Sequence, residues 1–134
     1  MLSLIYKSFV NTALIVASGR GDTETVSTLL SMGASANVTD EGNTVLISAV
    51  EGGHDEAAVV LVERGANVNT ADYLCYTPLM SAASNGDVAT VKLLLAHGAD
   101  VHAKNYEGST ASRQAIGNNH PEVVALLKRA GAAE

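Results

Sequence analysis

The chain is poor in aromatic residues, with one phenylalanine, four tyrosines and no tryptophan in 134 residues. Its core is therefore expected to be built from Ala, Val and Leu, which suit close helix packing. A single cysteine, Cys75, excludes an internal disulfide and fits a reducing compartment, so a cytoplasmic location is expected. Basic residues are also few: 8 Lys and Arg against 14 Asp and Glu give a net charge of −6, and the longest basic run is Lys128-Arg129. Such a surface repels phosphate, so no nucleic acid is expected as a partner. No stretch approaches the roughly 18 apolar residues that a membrane span requires. With 47% hydrophobic and 16% charged residues, a chain of this length reads as one globular domain rather than a disordered segment.

The first residues, MLSLIYKSFVNTALIVASG, resemble a signal peptide in having Lys7, an apolar stretch and small residues near Ala17. Asn11 and Thr12 interrupt that stretch, and Thr12 to Ala17 falls in register with later segments. Cleavage there would destroy a repeat, so retention is expected.

The repeat itself is carried by three markers. A Gly-Ala pair recurs at Gly33, Gly65, Gly98 and Gly131, at spacings of 32, 33 and 33. A threonine keeps the same period at Thr12, Thr44, Thr77 and Thr110, and nine residues after each stands Gly21, Gly53, Gly86 or Asn119. Threonine caps a helix N-terminus by accepting from an unpaired amide, and Pro78 suits the first turn that follows. The marker nine residues on permits a left-handed turn that ends this helix. A second helix follows, with Val26, Leu29 and Leu30, or Val91, Leu94 and Leu95, at helical spacing, and the Gly of the Gly-Ala pair stops it. The stretches between units, such as ANVNTADYLCY and ADVHAKNYEGS, read as turns or short hairpins.

With this period, and with TPLMSA, GDVATVKLLLAHGADV and GHDEAAVVLVERGANVN in the chain, the sequence resembles the ankyrin repeat family from about Thr12 to Ala132. The resemblance implies an all-α solenoid: a right-stacked array of four helix-turn-helix units joined by hairpin loops. The expected divisions are a cap segment over residues 1–11 and repeats over 12–39, 40–71, 72–104 and 105–134, the last serving as C-terminal cap. Where the family has His after T-P-L, this chain has Ile15, Ile47, Met80 and Arg113, so the hydrogen bonds of that histidine between repeats must be replaced by other packing. Cys75 occupies the hairpin position held by Gly42 and Gly108, and the hairpin before Thr44 is one residue short. At the ends, Ser112, Arg113, Lys128 and Arg129 are expected to make the outer face of repeat four polar. Leu2, Ile5, Tyr6 and Phe9 recur at helical spacing and are expected to lie over repeat one as a lid, the alternative being an anchor for a membrane or a second chain.

No arrangement of residues predicts catalysis, and no enzyme activity is expected. His54 and His120 share the repeat position of Asp22 and Asp87, which suggests turn and cap chemistry at the second helix. His97 precedes a capping glycine and His102 lies in a hairpin, so neither forms a ligand pair, and no metal is expected. Cys75 lacks a C-x-x-C companion, there is no phosphate-binding glycine loop, and no cofactor is expected.

Stacked repeats offer an extended, curved surface whose inner side is lined by hairpin tips and the outer face of each first helix, roughly 30 to 40 Å long for helices about 8 to 10 Å apart. The resemblance implies a non-catalytic protein-protein interaction module, an adaptor or scaffold, monomeric on its own. By register, the partner-binding positions are Glu41, Asn43, Glu51, Tyr73, Leu74, Tyr76, Ser84, Asn85, Tyr106, Glu107 and Ser109. Three tyrosines on adjacent tips suit a binding surface, because Tyr offers large contact area at little entropic cost. Glu41, Glu51 and Glu107 favour a basic or amide-rich partner protein. Two alternatives stay open: a membrane-peripheral adaptor using the apolar N-terminal segment, and a regulatory or inhibitory subunit of an enzyme, or an enzyme's substrate. For the last, Asn69 matches the asparagine hydroxylated in some proteins of the family.

Overall fold

A computed structural model describes residues 2–132, without the side chains of Leu2 and Ser3; Leu2 as part of a lid thus lies outside the described residues. The elements are α1 (Leu2–Arg20), α2 (Thr23–Ser31), β1 (Thr39–Asp40), β2 (Asn43–Thr44), α3 (Val45–Glu51), α4 (Asp55–Glu63), α5 (Pro78–Asn85), α6 (Val88–Ala96), α7 (Ala111–Gly117) and α8 (Pro121–Arg129). They form two compact units, Met1–Asn67 and Val68–Glu134. In the first, α1 packs on α2 and α3, and α4 on α2 and α3; in the second, α5 packs on α6 and α7, and α8 on α6 and α7. The chain is all-α, as expected, with one small antiparallel hairpin among the described residues.

Capping follows the sequence pattern in three pairs. The hydroxyls of Thr44, Thr77 and Thr110 accept from the amides of Ile47, Met80 and Arg113, each at 3.3 Å. Asp22 and Asp87 cap α2 and α6 by accepting from Thr25 and Thr90. The side-chain and amide donations of Thr25, with Arg20 nearby, hold the exposed Asp22 carboxyl below its ordinary range. Between the helices of each pair the chain turns left-handed at Gly21, Gly53, Gly86 or Asn119, with φ of 72°, 72°, 69° and 61°. The next amide then bonds back to the first helix: Asp22 to Ala17, His54 to Ala49, Asp87 to Ala82 and His120 to Ala115.

The core is aliphatic. Leu14, Val26, Leu46, Ile47 and Leu61 are buried in the first unit, and Leu79, Met80, Val91, Leu94 and Leu127 in the second. Every described aromatic ring is at least partly exposed.

The first pair departs from the expectation of a helix starting at Thr12. Helix α1 runs unbroken through it, and the Thr12 hydroxyl donates to the Ser8 carbonyl at 2.9 Å, as an interior threonine does. Thr44, Thr77 and Thr110 follow turn residues such as Gly42, Asp72 and Gly108, whereas residues 2–11 contain neither Gly nor Pro to end a helix. Because the helix is continuous, Val10, Leu14 and Ala17 set its buried side. Ile5, Phe9 and Val16 fall about 120° away around the axis. The lid is therefore not formed: Phe9 is 76% exposed, Ile5 55% and Tyr6 47%.

The far end also differs. Arg113, Lys128 and Arg129 are exposed, but Ser112 is buried at 1%, because it occupies the position of Leu14, Leu46 and Leu79, which faces the core. Its hydroxyl has no hydrogen-bond partner among the described residues.

Hydrogen bonds between neighbouring pairs come from residues other than the family's histidine. His54 and His120 stand at the N-cap positions of α4 and α8 but make no side-chain cap bond, which corrects the reading of these histidines as caps. An imidazole reaches backwards where an Asp is too short. His54 Nε2 donates to the Gly19 carbonyl at 3.1 Å and His120 Nε2 to the Ser84 carbonyl at 3.0 Å. On the loop side, Asn37 donates to the Gly65 carbonyl and accepts from the Asn67 amide at 2.7 Å. Asn69 repeats this with Gly98 and Asp100. Asn11, on α1, accepts from the Ser35 amide at 2.9 Å, which is the accepting half of the same arrangement.

Two outcomes follow. A Cβ on Gly86 would collide with the His120 ring, whereas one on Gly98 meets nothing within 4 Å, although both have positive φ. Gly86→Ala is expected to cost clearly more than the 1–2 kcal/mol or so of a left-handed alanine that Gly98→Ala incurs, read by urea unfolding. Ser112→Ala, which removes an unpaired buried hydroxyl, is expected to raise stability by about 1 kcal/mol in the same assay.

Candidate partner-binding surface

The loops before α5 and α7 are built alike. In the first, the Asp72 carboxylate accepts from the amides of Leu74 and Tyr76, at 2.9 and 3.0 Å, and the Asp72 amide donates to the Tyr76 carbonyl. In the second, Asn105 accepts from Glu107 and Ser109, at 2.9 and 3.0 Å, and its amide donates to Ser109. An Asx side chain at the base thus satisfies the loop's amides from within and leaves the tip residues free to point outward. Each loop also needs a left-handed residue, which is Gly108 with φ 78° in one and Cys75 with φ 62° in the other.

The two tips are joined directly, because the Tyr106 amide donates to the Leu74 carbonyl at 2.9 Å. Tyr73 is 73% exposed and Tyr106 63%, with Leu74 and Glu107 exposed beside them. Tyr76 is half-buried at the loop base, so two tyrosines rather than three stand on the tips. Ser109 is half-buried and its hydroxyl accepts from Gln114. Ser84, on α5, is occupied within the fold, accepting from Asn118 at its hydroxyl and from His120 at its carbonyl; Asn85 is exposed beside it.

In the first unit the corresponding tip is the two-residue turn of Glu41 and Gly42, both left-handed, between the paired residues Asp40 and Asn43. This is the shortened hairpin, and two positive φ values match the twist of its strands. Asn43 reaches Ser48 and Glu51 at 3.4 Å, bringing Asn43 and Glu51 together on one side of α3, while Glu41 is exposed at the turn.

Among the described residues, no group of three or more His, Cys, Asp or Glu could hold a metal. His97 Nδ1 is 3.0 Å from the Leu93 carbonyl, and exposed His102 donates its amide to Asp100. Cys75 is free and exposed.

A family model described as ankyrin repeats, in three copies, matches residues 3–72 and again 73–133. The chain belongs to the ankyrin repeat family. Ankyrin repeats are generally protein-protein interaction modules and are typically non-catalytic. No curated protein matches the chain significantly. Among the described residues, no helix of this ankyrin-repeat chain is long and apolar enough to cross a membrane.

Leu4, Val16 and Met32, which the helical spacing of Leu2, Ile5, Tyr6 and Phe9 does not include, stand exposed with Ile5, Tyr6 and Phe9 around α1. A helix apolar on more than one side was the signal that could have found them.

Replacing the left-handed cysteine should not disturb the tips. Cys75→Gly is expected to leave the circular dichroism spectrum unchanged and to raise stability by up to about 1 kcal/mol, the relief of the left-handed strain exceeding the added freedom of the unfolded chain. A loss of stability would show that the Cys75 side chain contributes packing.

Proposed function

We propose that this chain is an adaptor or scaffold that binds a partner protein through its hairpin tips and the concave helix face, without a cofactor and in the cytoplasm. The observation that carries this reading is the pair of exposed tyrosines, Tyr73 and Tyr106, on tips held together by the bond from Tyr106 to Leu74. Rigid loops presenting large amphipathic side chains lose little entropy on binding. Both rings lie where burial by the chain itself does not account for them.

Glu107 beside Tyr106, with Glu41 and Glu51 in the first unit, favours a basic or amide-rich partner, and the net charge of −6 speeds its approach. If the partner is an enzyme, binding there makes the chain its regulatory or inhibitory subunit. Asn69 is a poor substrate while the chain is folded, because its side chain both donates to Gly98 and accepts from Asp100.

The test is affinity capture from native lysate with the intact chain and with Tyr73→Ala plus Tyr106→Ala, followed by mass spectrometry and titration of the partner found. The double variant is expected to weaken binding at least tenfold, the scale of a hot-spot residue. Its melting temperature should move by no more than about 2 °C, as for exposed substitutions. A sharp fall in melting temperature would make the tyrosines structural, and equal capture by both proteins would locate binding elsewhere.

A further inference from the structure

We propose that the outer face of α1 is a self-association surface, on which a second copy of this chain docks its own α1 about a two-fold axis. Helix α1 is apolar on two sides: Val10, Leu14 and Ala17 face α2 and α3, and Leu4, Ile5, Phe9 and Val16 face away from them. The outer side is grooved. One hollow of about 530 Å³ lies along Ile5, Phe9, Thr12, Ala13 and Val16, and another of about 580 Å³ runs from Ile5 and Phe9 round to the edge shared with α2, past Tyr6, Val10, Leu29 and Met32. Neither is lined by a charged residue.

This face continues an interface that the fold already uses. Ala13 occupies the position that Val45 holds in α3 and Ala111 holds in α7; those two are buried in the packing of successive first helices, whereas Ala13 is half-exposed. Val16 stands where α3 has Ser48 and α5 has Ser81, so the apolar side chain is particular to α1. The exposed parts of Leu4, Ile5, Tyr6, Phe9, Val16 and Met32 amount to on the order of 600 Å², taking about 150–250 Å² for a large side chain. That is at the upper end of the roughly 300–600 Å² of the largest patch on a typical monomer, and close to the 800 Å² or so that each partner contributes to a standard interface.

The occupant that fits is the same face of another copy. A head-to-tail contact would set this uncharged face against the last helix pair, where His102, Lys104 and Arg113 line a polar groove. Desolvating the Lys104 and Arg113 cations against Phe9 and Val16 is costly, whereas two uncharged faces meet without that penalty and close the assembly at two. An anionic membrane is disfavoured by the net charge of −6. The monomer expected of the chain alone is thereby replaced by a concentration-dependent dimer.

Sedimentation velocity on the 134-residue chain tests this over a hundredfold concentration range centred on a dissociation constant on the order of 10 µM, the weak end for an interface of this size. The expected result is a monomer-dimer equilibrium that stops at two. Phe9→Asp should weaken it by at least about 100-fold, because each dimer then buries two unpaired charges. The helical circular dichroism signal and melting temperature should hold, since Phe9 is exposed. Should that variant misfold, Leu4→Ser with Val16→Ser provides the same reading with uncharged side chains. A monomer at every concentration, growth beyond two, or a dimer that survives both variants would overturn the proposal. So would a monomer that co-sediments with phosphatidylcholine vesicles and loses this on Phe9→Asp, which would make the face a lipid contact.

Discussion

A pair of helices seven to nine residues long cannot bury an apolar side within itself, and the rest of the architecture answers that constraint. Each pair is closed by a left-handed residue and a back-bonded amide, which sets the second helix against the first. The apolar sides of both are then left for the next pair, as α1 and α2 are for α3 and α4. Because the pairs meet through Ala, Val and Leu, their backbones come close enough for hydrogen bonds from one pair to the carbonyls of its neighbour. Helix α1, 19 residues long, meets the same constraint on one side only, and leaves Leu4, Ile5, Phe9 and Val16 exposed on the other.

The bonds between pairs show one requirement met by different residues. Carbonyls at the end of a first helix lack partners within their own helix, and a donor from the following pair must supply them. In this chain the donor is His54 or His120, one residue before the second helix. The glycine beside each ring, Gly21 or Gly86, is doubly constrained, by the left-handed turn and by the space the imidazole fills. On the loop side, Asn37 and Asn69 bridge in both directions, and Asn11, on α1, accepts from the first loop at Ser35. The network needs a donor at a position in space, and the residue that reaches it is free to differ.

The tips obey a similar economy. Asp72 and Asn105 satisfy their loops from the base, so the residues above them need satisfy nothing and are available for contact with a partner. Cys75 is tolerated at a position that prefers glycine because the loop around it is held by bonds that do not involve its side chain. Framework and variable surface are thus separated within a few residues of chain.

Much of this was written in local pattern. Period, helix pairs, the caps at Thr44, Thr77 and Thr110, the left-handed positions and the aliphatic core follow from spacing and residue type, because each depends on interactions within one turn or along one helix face. Exposure of Tyr73 and Tyr106 was legible for the same reason, as tip residues with no partner in register. Three matters were decided only in three dimensions. Thr12 sits inside a helix because nothing before it stops one, a property of its neighbours rather than of threonine. His54 and His120 share a sequence position with two aspartates yet act at a distance, since an imidazole reaches a carbonyl on the previous pair and a carboxylate does not. Ile5 and Phe9 lie outward rather than over the first pair, because a continuous α1 leaves its rotation to Val10, Leu14 and Ala17. Sequence by itself determined what each segment becomes; packing decided which side of it is left facing water.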